Sequence, residues 1–153
     1  MKFQFDPNQG FQIEAVNSIV GIFEGQERNT ASRIVKGGGM FGIYPNYLTL
    51  SKEEVLANVK KIQGENKIAN GGAVEEMDFS VEMETGTGKT YVYLRTIFEL
   101  NKRYGWKKFI VLVPSVAIRE GVMKTLAITK AHFSELYGNV PCRFYEYRSK
   151  NIT

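Results

Sequence analysis

The chain has 153 residues, 43% of them hydrophobic and 24% charged, with a formal net charge of +4; it is long and apolar enough for one ordinary domain with a buried core. The charge permits nucleic-acid contact without demanding it. The single cysteine, Cys142, excludes a disulfide framework and a multi-cysteine metal site and reads as a small buried hydrophobe in a reducing compartment. No apolar run approaches the roughly 20 residues of a membrane span, and Met1-Lys2-Phe3 opens no signal peptide, so a cytoplasmic protein is the expectation.

The spacing of Phe11, Ala15, Ile19, Ile22 and Phe23 predicts a first helix over 9–24, with Asn8 as its cap. Gly25 to Arg33 is polar and turn-like. Gly37-Gly38-Gly39 marks flexible backbone before the aromatic stretch Met40 to Pro45, a short strand or a packed loop. Ser51 and Glu54 make a capping box for a second helix with Val55, Val59 and Ile62 on one face and Lys60, Lys61 and Lys67 solvated. Residues 64–76, with Gly71-Gly72, read as a loop.

Residues 79–83 predict a strand that runs into Met83-Glu84-Thr85-Gly86-Thr87-Gly88-Lys89-Thr90. Two glycines ahead of a lysine and a hydroxyl residue, at a strand-to-helix turn, are what a phosphate loop needs. Backbone N–H groups wrap phosphate oxygens, Lys89 reaches the β and γ phosphates, and Thr90 ligates Mg²⁺. The strict pattern has glycine where this chain has Met83. A third helix follows from Lys89 to about Arg103, with Tyr91, Leu94 and Phe98 on one face and Gly105 at its end.

The apolar run 109–113, halted by Pro114, predicts a central strand covered on both faces. Ile118, Val122 and Leu126 carry a fourth helix, and 142–147 a third strand. Strand, helix, strand, helix, strand is an α/β pattern with parallel strands. The expected fold is therefore an α/β core with a phosphate loop, a P-loop NTPase arrangement. Hydrolysis also needs an acid after a second core strand, and Glu99, Glu120, Glu135 and Glu146 are poorly placed for it. The chain accordingly reads as the N-terminal piece of a larger enzyme. Its expected divisions are an N-terminal helical part (1–36), an insertion (37–77) and the front half of the ATP-binding domain (78–153).

Three blocks together resemble superfamily two helicases, and more narrowly the restriction (Res) subunit of type III restriction-modification enzymes. They are Phe11-Gln12-Ile13-Glu14-Ala15-Val16, Glu84 to Thr90, and Val113-Pro114-Ser115-Val116-Ala117-Ile118-Arg119-Glu120-Gly121-Val122. The resemblance implies that Phe11 packs near adenine and Gln12 bonds its edge, with Gln9 as rival for the amide role and a core position as the plainer reading of Phe11. It assigns ATP binding to Phe11, Gln12, Thr85, Gly86, Thr87, Gly88, Lys89 and Thr90, with Lys89 and Thr90 catalytic. Ser115 and Arg119 would touch the DNA backbone, though Arg119 equally suits a salt bridge with Glu120.

By the same resemblance the chain is an incomplete first helicase motor domain with a RecA-like core, and its parent is an ATP-dependent site-specific deoxyribonuclease that translocates on double-stranded DNA beside a modification methyltransferase subunit, with cleavage expected in C-terminal regions outside this chain. Its cofactors would be ATP and Mg²⁺, and the isolated piece would be inactive. A helicase outside restriction is the alternative, followed by a small-molecule P-loop ATPase or kinase. His132 reads as structural or exposed. Trp106, Tyr145 and Tyr147 read as packing residues, and Lys107 and Lys108 as solvated.

Overall fold

Among the described residues the hydrophobic patterns at helical spacing become four helices. The computed structural model describes residues 5–29, 46–68 and 76–147. In chain order these helices are α1 (Gly10–Gly21), α2 (Lys52–Glu65), α3 (Lys89–Tyr104) and α4 (Val116–Leu136). α1 packs on α3, α3 on α4, and α1 on α2, so α1 and α3 form the centre. The sequence readings for Gly37 to Pro45 and for Gly71-Gly72 fall outside the described residues.

α1 turns Val16 and Val20 into a core shared with Val92, Leu100, Tyr104 and Trp106. Its cap position is held by Gln9, one residue beyond the expected Asn8, and the helix stops at Gly21 rather than running to 24. The chain beyond it is held from α2: Asn58 Nδ2 donates to the carbonyls of Ile22 (3.0 Å) and Glu24 (2.9 Å). The Tyr104 hydroxyl donates to the Val20 carbonyl at 3.0 Å, tying the same end to α3. Carbonyls left over at a helix end need such partners when water is excluded.

The capping box of α2 forms as the sequence predicts. The Glu54 N–H donates to Ser51 Oγ (3.2 Å), and the Ser51 N–H donates to Glu54 Oε2 (2.7 Å). Val55 and Val59 are buried against Ile22, with Phe23, Leu50, Ile62 and Phe79 packed around them. α3 ends, as expected, on Gly105 in left-handed backbone (φ 71°), where a Cβ would lie 2.6 Å from the Asn29 carbonyl oxygen. Tyr91 and Leu94 on its far face bury against Phe133 of α4, and Phe98 stacks on Phe133 at 5.0 Å between ring centres.

The α/β expectation is overturned. Among the described residues there is no strand: 79–83, 109–113 and 142–147 are without a ladder. Ile110 and Leu112 stand 88% and 89% exposed, the opposite of a strand covered on both faces. An apolar run states a preference, but a strand exists only where a neighbour takes up its N–H and C=O groups. A parallel-stranded, RecA-like core and an incomplete motor domain built on it are therefore replaced by a helical arrangement. Cys142 is exposed rather than buried. Tyr145 and Tyr147 are likewise exposed, whereas Trp106 is buried and its Nε1 donates to the Tyr47 carbonyl (3.3 Å).

Candidate functional site: the loop before α3

The loop 84–88 reaches α3 through two glycines in left-handed backbone, Gly86 (φ 85°) and Gly88 (φ 86°). Side-chain-bearing residues avoid that region, so glycine is the residue that closes this turn cheaply. Gly88 is the N-cap of α3 and supplies no side-chain cap; no acidic residue stands in the first turn. Lys89 is exposed, Thr90 and Thr87 are half-buried, and Thr85 is exposed. The loop is shaped from within by Thr87, whose hydroxyl donates to the Glu84 carbonyl at 2.6 Å.

Gln12 reaches the same loop from α1. It is 8% exposed, and its Nε2 donates to the Thr87 carbonyl at 2.9 Å. Phe11, next to it, points to the surface, half exposed, and with Ala15, Val59, Ile62, Phe79 and Thr87 lines a cavity of about 910 Å³. The structure thus brings Phe11, Gln12 and the loop residues to one place.

Ser115 and Arg119 belong to a different helix start. Ser115 is the N-cap of α4, its Oγ accepting the Ile118 N–H at 3.3 Å. Arg119 pairs with Glu120 (3.6 Å) and more closely with Glu146 (2.9 Å). The predicted Glu120 partner is present, but the nearer acid lies some twenty-seven residues downstream.

A second cluster carried no signal in the sequence. The Tyr91 hydroxyl and His132 Nε2 are 2.8 Å apart, Phe5 packs on both rings, and Arg95 donates to the Pro7 carbonyl at 2.6 Å. Burial holds the His132 imidazole below its ordinary pKa of 6.5, and the nearby Arg95 charge adds to this. Burial likewise raises the Tyr91 phenol. These side chains are separated by up to 127 positions, and only the fold assembles them.

Residues 9–152 match the family model described as type III restriction enzyme, res subunit. The chain belongs to that Res-subunit family. Among its relatives, the EcoPI Res subunit of Escherichia phage P1 is 34% identical over 88% of this chain and 14% of its own length. The EcoP15I Res subunit of Escherichia coli is 43% identical over 59% of this chain and 10% of its own length. The StyLTI Res subunit of Salmonella typhimurium is 46% identical over 42% and 7%. This Res-family chain thus spans about a seventh or less of the relatives it matches.

Family membership and the motor expectation part company here. A nucleotide-hydrolysing P-loop is a strand, a loop and a helix, with the strand's ladder fixing where the loop begins. Only the loop and helix are found among the described residues. The expectations of an ATP-binding, DNA-translocating helicase part and of an ATP-dependent nuclease activity are corrected on that ground. Double-stranded DNA, ATP and a modification subunit, expected as partners of that motor, lose the same support. The expectation of ATP with Mg²⁺ also fails on ligands: among the described residues no group of three or more His, Cys, Asp or Glu side chains is placed to hold a metal ion. No helix among those residues is long and apolar enough to cross a membrane.

Proposed function

We propose that this chain serves a restriction system as a segment of a Res-type subunit in the cytoplasm, and that its local contribution is an oxyanion contact at the start of α3. Family membership supports the first part. The second is carried by one observation: an uncapped helix N-terminus, entered through two left-handed glycines and headed by the exposed Lys89. The first N–H groups of a helix have no partners within it, and the helix dipole favours negative charge there. Left-handed glycines turn further N–H groups toward the same point. Lys89 adds a full charge, and Thr90, half-buried in the first turn, adds a hydroxyl. The ligand chemistry is a phosphate group; neither triphosphate hydrolysis nor a metal ion is part of the reading.

Amide chemical shifts of the 153-residue chain, followed during titration with inorganic phosphate, test it. Saturable shifts centred on Gly86, Gly88, Lys89 and Thr90, and weakened in Lys89→Ala, are expected. Shifts no larger than those produced by chloride at equal ionic strength would remove the site.

A further inference from the structure

We infer that Gln12 is a positioning residue, a brace by which α1 sets the shape of the loop that opens α3. The functional half of this inference rests on the oxyanion reading above; the structural half stands without it. Gln12 lies in the first turn of α1, and its amide crosses a separation of 75 residues to donate to the Thr87 carbonyl. The opposite side of the contact is equally specific. A Cβ built on Gly88 would lie 2.7 Å from Gln12 Nε2, so the amide occupies the space that any other residue at position 88 would claim. A side chain at position 88 would push the Gln12 amide off the Thr87 carbonyl, so the brace depends on glycine there.

The brace differs from base reading. A residue that reads a ligand's edge keeps its donor available, whereas the Gln12 amide is buried and already bonded to backbone. With Thr87 held at its carbonyl by Gln12 and at its hydroxyl by the Glu84 carbonyl, the loop is fixed on both sides of the residue that precedes Gly88. α1 itself is anchored independently, by Val16 and Val20 in the core with Val92 and by the Tyr104 bond to Val20. Loss of the amide should accordingly loosen the loop and leave the helices packed.

Site-resolved hydrogen exchange and phosphate titration on wild type, Gln12→Met, Gln12→Ala, Gly88→Ala and the Gln12→Ala/Gly88→Ala double variant decide it. Gln12→Met keeps length and burial but removes the donor. One net hydrogen bond corresponds to up to about a tenfold change, so exchange of the Thr87 amide, bonded to the Glu84 carbonyl, and of the Val92 amide, bonded to the Gly88 carbonyl, should rise up to about tenfold while α1 and the later α3 amides keep their protection. Phosphate affinity should fall by a similar factor. Gly88→Ala should be less damaging when Gln12 is already shortened to Ala than in wild type, a coupling that two unrelated structural residues would not show. Unchanged loop exchange in Gln12→Met, exchange rising equally throughout α1 and α3, or strictly additive effects would each overturn the brace. If wild type fails to bind phosphate while loop exchange still responds to Gln12→Met, the oxyanion reading falls and the brace stands.

Discussion

α3 starts on Gly88, in left-handed backbone and without a side-chain cap, whereas α4 starts on Ser115, extended, with its Oγ already accepting the Ile118 N–H. The nearby cations differ in the same sense. Lys89 is exposed, while the Arg119 guanidinium lies between Glu120 and Glu146. The sequence marks both starts as phosphate contacts. The structure separates them: the α4 start is capped by Ser115 and its arginine is paired with acids, whereas the α3 start has no side-chain cap. A helix N-terminus attracts anions only to the extent that its own chain leaves it unsatisfied.

The largest way to break this contrast is Gly88→Ala. An alanine held in left-handed backbone costs about 1–2 kcal/mol, and the contact with the Gln12 amide adds to it. We expect a lowered midpoint in urea, with the loss concentrated at the α3 start. Lys89→Ala comes next. Loss of a charge-assisted contact should weaken phosphate binding about tenfold or more, with circular dichroism and thermal midpoint unchanged because the side chain is exposed.

Ser115→Ala sharpens the comparison from the other side. Removal of the cap should cost about 1 kcal/mol of stability, yet phosphate shifts at Gly86 to Thr90 should stay as in wild type. Loss of those shifts would mean that the two helix starts act together.

The smallest effect concerns acidity. The folded protein holds His132 below its ordinary value of 6.5, so it favours the neutral ring and the unfolded chain binds the proton more readily. The resulting stability is complete above about pH 6.5 and is lost as pH falls through the lowered value. Arg95 opposes the imidazolium and Glu135 favours it, so the slope is modest. Thermal midpoints between neutral and mildly acidic pH should fall for wild type and flatten for His132→Phe.

Local features of this chain were legible in its residues. The Ser51–Glu54 capping box, the Gly105 stop and the buried faces of α2 and α3 depend on neighbours within a turn or two, and all appear. The strands did not appear because their existence depends on partners that no run of residues announces. Phe109 to Val113 has a strand's composition, but composition cannot say what lies alongside. Gln12 falls between these cases. The resemblance singled it out for an adenine edge, whereas its bond to a backbone carbonyl 75 positions away leaves no mark on the residues at either end. Tyr91, Phe5 and His132 show the same limit: three ordinary aromatic rings become a cluster only after α3 and α4 have packed.

Bare Ile110 and Leu112 also govern how the molecule behaves as a solute. A stretch with no sheet partner and outward apolar side chains is a template for the same stretch of another copy. A formal net charge of only +4 gives modest electrostatic repulsion between copies, and added salt screens it. Concentrating the isolated chain in high salt therefore brings its adhesive stretch together faster than its charge can keep copies apart, and a lysine in place of Leu112 is the simplest gatekeeper against precipitation.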